Sequence, residues 1–415
     1  VAERRATLAG AIATIAGVGA GNLGIVSAFV AAPPSGDGLL ARLGSLVASP
    51  DPRWYWSPTR MVAERTGSGN EIHEFPFFTF LHADLHAHLL ALPLAVAVWG
   101  IASWIALGRD RRPAAWLGAI AIAAAITGYA RVTNSWDWPF ATAVAAGAIV
   151  VGAHRRWHGG DAWRRAIAAI VLLAVLQLAV AWPFASTFAT GGVGVHRYAG
   201  PATPFVAWLQ GYGLFLWVLL PWLLFSPVAD GTGTPARTRA VAWTRTFLLG
   251  VAIVGFAAVA IGLALAAWRG GTAPATGAML ALVALGLREA VDSRAPDARR
   301  WIAAIVAVAF AVQIVPEALV IGHDIGRQNT FFKFHLQAWV ALAIASGPAA
   351  AALFAPPSSR VWRTGFAALA LLAVAYVPIG AAGRARAPFP AERPATLGGL
   401  AFLASARHEH DGRWF

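Results

Sequence analysis

Residues 165–183 read RAIAAIVLLAVLQLAVAWP, with Arg165 at one end, Pro183 at the other and Gln177 as the one polar side chain between. An apolar run of this length is what a helix needs to cross a bilayer, about 20 residues. Working outward in both directions, apolar stretches of spanning or near-spanning length recur at about 6–31, 84–107, 114–132, 139–153, 205–226, 246–267, 274–287, 301–321, 332–354 and 362–380. The pattern specifies an all-α polytopic integral membrane protein with about eleven transmembrane helices. Two of the runs, 139–153 and 274–287, are shorter than a bilayer requires, so those helices are expected to be tilted, broken or shielded by neighbours.

The composition agrees. Of 415 residues, 58% are hydrophobic and 12% charged, and the mean hydropathy is +0.62. Soluble domains carry about 45–50% apolar and about 25% charged residues, so a soluble fold is excluded. With no cysteine, disulfide frameworks, thiolate zinc sites and cysteine nucleophiles are excluded too. The formal net charge of +13 would suggest nucleic acid in a soluble protein. Here the basic residues stand in short clusters between apolar runs, so they read as topology signals and no nucleic-acid partner is expected.

Arginines cluster at Arg4/Arg5, Arg109/Arg111/Arg112, Arg155/Arg156/Arg164/Arg165, Arg237/Arg239/Arg245, Arg288/Arg294/Arg299/Arg300 and Arg360/Arg363. Eleven alternating spans put all six clusters on one side, which the positive-inside rule makes the cytoplasm. A transmembrane domain over 1–383 follows, with an outer or re-entrant segment at 32–83 and an extracytoplasmic tail at 384–415, in the cell membrane. The first apolar run is too long for a secretory signal and lacks a cleavage pattern. Small residues, among them 42 glycines, suit close helix packing.

An ionisable group at the centre of a membrane helix costs about 2.5–3.5 kcal/mol on insertion scales, so polar residues near the spans are informative. They gather in three stretches: EFPFFTFLHADLHAHLLALP at 74–93, RVTNSWDWP at 131–139 and PEALVIGHDIGRQNTFFKFHLQAW at 316–339. All three fall at the outer ends of helices in this topology and can share one extracytoplasmic cavity. The loop 184–204, with GGVG at 191–194, His196 and Arg197, emerges on the same side and can cover it. The Phe-rich segment 75–80 reads as an interfacial or re-entrant element.

A helix starting near Ala83 would put Asp84 and His88 four apart on one face, and His82 and His86 on an adjacent one. Such spacing suits a divalent metal, magnesium or manganese, held by Asp84 and His88; it equally suits capping and contacts at the water interface. Asp84, Glu74 and Asp137 are the candidate catalytic carboxylates, since a carboxylate among aromatic rings should have a raised pKa and serve as a base. For Asp137, between Trp136 and Trp138, helix capping is the rival role. Glu317 is either a partner for Arg327 or Lys333 or a substrate contact. Arg327 and Lys333 flank the start of a helix, where backbone N–H groups and the macrodipole favour a phosphate; the alternative is a buried pair with Glu317 or Asp324. Lys333 is the sole lysine among 32 basic residues. Asn134, Trp136, Asp324, Asn329, Gln337, His82, His86 and His88 complete the candidate substrate-binding set, while Trp54, Tyr55 and Trp56 read as part of an interfacial aromatic belt.

With those residues in view the sequence resembles the "YYY" family of polytopic membrane proteins, which carries a domain of unknown function. The matching stretches are WYWSPTR at 54–60, the 74–93 segment, NSWDWP at 134–139, the GVG of the outer loop, RQNTFFKFHLQAW at 327–339 and RPATLGGLAFL at 393–403. The family's tyrosine tract is expected upstream of Val1, which implies that the chain is the C-terminal part of a longer protein. His335 stands where an aromatic residue is usual and Ala87 where a proline is usual. Such proteins look similar to the membrane glycosyltransferases of the GT-C superfamily, which use polyprenyl-phosphate sugars at the outer membrane face. That similarity implies a GT-C-like helix bundle, with Asp84, His86 and His88 as the acidic and imidazole elements and Arg327 with Lys333 as a phosphate clamp. The expected function is glycosyl transfer from a polyprenyl-phosphate-linked donor. The rival readings are a transporter or lipid flippase, in which the polar groups line a pathway, and a non-catalytic membrane subunit of a complex.

Overall fold

The computed structural model describes residues 2–62, 71–83, 85–110, 112–188, 194–224, 273–322, 324–355 and 359–386. Short helices come first: α1 (Ala2–Val18), α2 (Gly24–Ala31), α3 (Leu39–Ala48), α4 (Pro52–Trp56) and α5 (Pro76–His82). Long ones follow: α6 (Ala87–Leu107), α7 (Pro113–Thr133), α8 (Trp138–Arg156), α9 (Gly159–Ala185), α10 (Phe205–Leu224), α11 (Pro274–Val291), α12 (Asp297–Ala318), α13 (Gln328–Leu353) and α14 (Arg360–Arg386). Two short strands, β1 (Val195–Arg197) and β2 (Leu319–Ile321), pair antiparallel with His196 opposite Val320. Among the described residues eight helices are long and apolar enough to cross a membrane: α6, α7 and α9 to α14. The protein is therefore an all-α polytopic membrane protein. The span expected at 246–267 and the tail from 387 on lie outside the described residues.

The stretch at 165–183 forms most of α9, and its two faces explain how a helix this apolar is used. Ile167, Val171, Val175, Leu178 and Trp182 are exposed at three- and four-residue intervals, a stripe suited to lipid. Gln177 faces the other way and is buried, accepting hydrogen bonds from the Thr142 hydroxyl at 3.0 Å and the Trp138 indole at 3.3 Å. Gly128 of α7 lies against the Gln177 carbonyl, where an added Cβ would come within 2.8 Å. Small residues let these backbones approach, as membrane helices require. The most enclosed span is α13, 78% buried over its apolar window against 22% for α9.

Helix ends obey simple chemistry. Proline opens α7 and α11 at positions whose N–H would have no intrahelical partner. At the opposite ends arginines close orphan carbonyls: Arg155 on Ala106 at 2.8 Å, Arg156 on Ile105 at 3.0 Å, Arg299 on Trp222 at 2.7 Å and Arg300 on Ala290 at 3.0 Å. Arg155 also pairs with Asp297 at 2.7 Å, and Arg299 with Glu289. These clusters thus gather at one end of the bundle, called here the arginine end.

Three expectations need correction. The first apolar run is not one continuous helix, because the chain leaves helical geometry between α1 and α2. There Asn22 is buried, donates to the Pro58 carbonyl at 2.7 Å and accepts from the Gly24 N–H at 3.0 Å, while the Leu23 N–H reaches the Gln210 carbonyl at 2.8 Å. The run expected at 139–153 is longer than the apolar residues suggest: α8 has 19 residues because His154, Arg155 and Arg156 continue it. No helix starts at Ala83, because Ala83 takes the left-handed conformation (φ 58°, ψ 27°), ends α5, and leaves α6 to begin at Ala87. The pair 82/86 therefore does not share a helix face, and Asp84 of the pair 84/88 lies outside the described residues.

Candidate functional site

The three polar stretches meet at the end of the bundle opposite the arginines. His88 of α6 packs edge-on against Phe332 of α13 with ring centres 4.8 Å apart, and Lys333 of α13 places Nζ 4.0 Å from the centre of the Trp136 ring. Between them lies a cavity of about 230 Å³, lined by Arg60, Ile72, Glu74, Thr79, His82, His86, Ala87, His88, Asn329, Phe332 and Lys333.

The break at Ala83 builds the imidazole wall. His82 ends α5, His86 stands in an extended conformation just before α6, and His88 sits in the first turn of α6. The rings of His86 and His88 stack with centres 5.6 Å apart. Tyr55 and His82 share a hydrogen bond, 2.5 Å from phenol oxygen to Nδ1. Burial pushes the Tyr55 hydroxyl up to about 12, so it stays a neutral phenol at physiological pH.

Glu74 Oε2 lies 3.4 Å from His88 Nε2 and accepts from the Thr79 hydroxyl at 3.1 Å. Burial pushes this carboxyl up, but the hydrogen bond and charge of His88, the charge of Arg60 and the Thr79 hydroxyl together outweigh it. The net result is a carboxyl below its ordinary value, hence an ionised acceptor facing the cavity. Arg60 is stacked on Trp56 at 4.1 Å and donates to the Thr59 carbonyl at 2.9 Å.

Asn134, Asp137 and Gln337 form a buried layer behind the cavity. Asp137 stands at the head of α8 but makes no side-chain capping bond, which corrects the capping role. Burial pushes its carboxyl up to about 6, against the opposing pull of Asn134, Gln337, His88 and Lys333.

The phosphate-clamp pairing of Arg327 with Lys333 is not what the geometry provides. Arg327 is buried and donates to Glu71 at 2.9 Å, Glu317 at 2.7 Å, the Pro316 carbonyl at 2.9 Å and the Thr203 hydroxyl at 3.1 Å. Glu317 is equally buried and accepts from the Thr203 hydroxyl at 2.5 Å and from Thr276 at 3.3 Å. Both belong to an internal network tying α11, α12 and α13 to the segment 71–73 and the approach to α10. Asp324 caps α13, accepting from the Asn329 and Thr330 N–H groups at 2.9 and 2.7 Å.

Of the residues singled out in the sequence, Glu74, His82, His86, His88, Asn329 and Lys333 line the cavity, and Trp136 backs Lys333. Asp84 and His323 lie outside the described residues, as does 189–193 of the loop expected to cover the site. Sequence reasoning assigned no role to Arg60, Thr79 or Glu71. Arg60 had a signal, since it is the one cation in WYWSPTR, whereas nothing in the order of residues ties Glu71 to Arg327, 256 positions away.

No group of three or more histidine, aspartate or glutamate side chains that could hold a metal ion occurs among the described residues. Of the expected Asp84–His88 ligand pair, His88 is engaged with Glu74.

A bundle of apolar helices closed by arginines at one end and carrying carboxylate, imidazole and ammonium groups around a cavity at the other defines a multi-pass membrane protein with a polar terminal cavity. The chain matches the profile of an uncharacterised membrane protein family, DUF2298, over residues 1–342, and it belongs to that family. No curated protein and no solved structure matches it.

Proposed function

We propose that the protein transfers a glycosyl group from a polyprenyl-phosphate-linked donor at the extracytoplasmic membrane face, with the cavity as its active site. The observation that carries this reading is the convergence of the Glu74–His88 couple and Lys333 on one cavity of about 230 Å³. Ligand sites for drug-sized molecules run to about 300–1,000 Å³. This space therefore suits one sugar-phosphate headgroup, with the polyprenyl chain left in the membrane.

In this reading Glu74, ionised and held by Thr79 and His88, accepts the proton of an acceptor hydroxyl as its oxygen bonds to the anomeric carbon. The bond from that carbon to the phosphate oxygen breaks, and Lys333 with Arg60 stabilises the departing phosphate. Arg327 and Glu317 drop out of direct contact and support the cavity from behind. The arginine end supports catalysis over transport: among the described residues its polar groups close helix ends rather than line a path.

The test is release of polyprenyl phosphate from a sugar-loaded donor by the full chain in proteoliposomes. Glu74→Gln and Lys333→Met should each lower turnover by about 10²-fold or more. Wild-type turnover in either correctly folded variant would remove that residue from the mechanism, and no turnover on any polyprenyl-phosphate donor would reject the function.

A further inference from the structure

Helix α3 reads LLARLGSLVA, with a leucine face that the described residues do not cover. Leu39 is 73% exposed, Leu40 85% and Leu43 49%, and helical spacing puts them in one sector together with Leu46. Leu46 alone packs against the main core. Ala41 and Ser45 occupy the opposite face, Arg42 lies to one side, and the helix has no acidic residue.

Its neighbours fix its level in the bundle. Four residues after α3 the chain is in α4, where the Tyr55 carbonyl accepts from the Tyr376 hydroxyl at 2.8 Å and the Asp51 carbonyl lies 3.2 Å from where a Cβ on Gly383 would stand. Both contacts are to the last part of the spanning helix α14, at the cavity end. Before it in the chain, α2 also carries exposed apolar side chains, Val26 and Val30. Pro33 and Pro34 follow, then Gly36 and Gly38 at φ +105° and +82°, which turn the chain between α2 and α3. Ten residues make a helix about 15 Å long, too short to span.

We infer that α3 lies in the membrane–water interface beside the cavity, with Leu39, Leu40 and Leu43 in the acyl boundary and Arg42 among lipid phosphates. A strongly amphipathic, acid-free helix is the kind that binds a bilayer in its plane. Its position also sets the level of Trp54, Tyr55 and Trp56, and through the Tyr55–His82 bond it holds one cavity wall at headgroup height. A membrane lipid would then meet the cavity from the side. This assignment is independent of glycosyl transfer.

The chain has no cysteine, so single labels are unambiguous. Nitroxides at Leu40→Cys, Leu43→Cys, Ala41→Cys and Ser45→Cys in the full chain, reconstituted in liposomes, are probed with oxygen and with a water-soluble nickel chelate. The ratio of oxygen to nickel accessibility at positions 40 and 43 should exceed that at 41 and 45 several-fold. Nickel-dominated accessibility at all four positions would overturn the inference by placing α3 in water. Low accessibility to both reagents at 40 and 43 would overturn it by showing that protein covers the leucines. If a label at 43 disturbs the fold, position 40 decides by itself, being the most exposed leucine of α3.

Discussion

Replacing Arg327 with methionine removes the only cation bonded to both Glu71 and Glu317 among the described residues, and does so where water does not reach. The guanidinium makes two charge-assisted bonds, at 2.9 and 2.7 Å, and two more to Pro316 and Thr203. Breaking a buried pair by deleting one partner costs about 3–5 kcal/mol, because the charge left behind loses its counter-ion where solvent cannot replace it. The shift of about 2–4 °C per kcal/mol for 150–250 residues scales down to about 1–2 °C for a chain of 415 residues, so the thermal midpoint should fall by about 3–10 °C. Melting of the purified protein in detergent, followed by tryptophan fluorescence, measures this directly. Arg327→Lys keeps the charge but not the planar fork, so its midpoint should lie between the two. Adding Glu317→Gln to Arg327→Met should recover part of the loss, since one stranded charge is gone. A midpoint unchanged in Arg327→Met, together with weaker binding of polyprenyl phosphate, would refute the reasoning and return Arg327 to the ligand site.

Two further outcomes follow from the cavity. The Asp137 carboxyl is pushed from 3.8 to about 6, and at 1.36 kcal/mol per pH unit that gap corresponds to about 3 kcal/mol of stability. Because the folded-state value is the raised one, this contribution is complete below about pH 4, is lost as pH rises through about 6, and stays lost above it. Asp137→Asn should therefore flatten the pH dependence of melting between pH 4 and 8 and raise the midpoint at pH 7; a wild-type profile already flat there would contradict the assignment. Trp136→Leu removes the aromatic platform under Lys333, an interaction of about 1–2 kcal/mol. Acetylation of Lys333, the sole lysine, should then speed up several-fold by mass spectrometry, and an unchanged rate would mean the ring does not hold the ammonium.

Arg327 and Lys333 show why only part of the site was legible. Six positions apart at the same helix start, both are cations among aromatics, and in the sequence they look alike. The first turn of α13 sends Arg327 into the bundle, toward carboxylates contributed from 71 and 317, and turns Lys333 toward the cavity and Trp136. The three histidines were legible as a cluster, but their arrangement was not, because it depends on a left-handed Ala83 that no residue type announces.

What residue order alone decided is the solvent. A run such as 165–183 is insoluble in water whatever its neighbours do, since the transfer free energy of each side chain is a local quantity. The helices, their approximate number and the clustering of polar groups at their ends follow from that. Tertiary structure decided which polar groups pair with one another and which are left to face a cavity. Those partners come from segments up to 256 positions apart, and the strength of each pairing depends on burial that only the packed bundle creates.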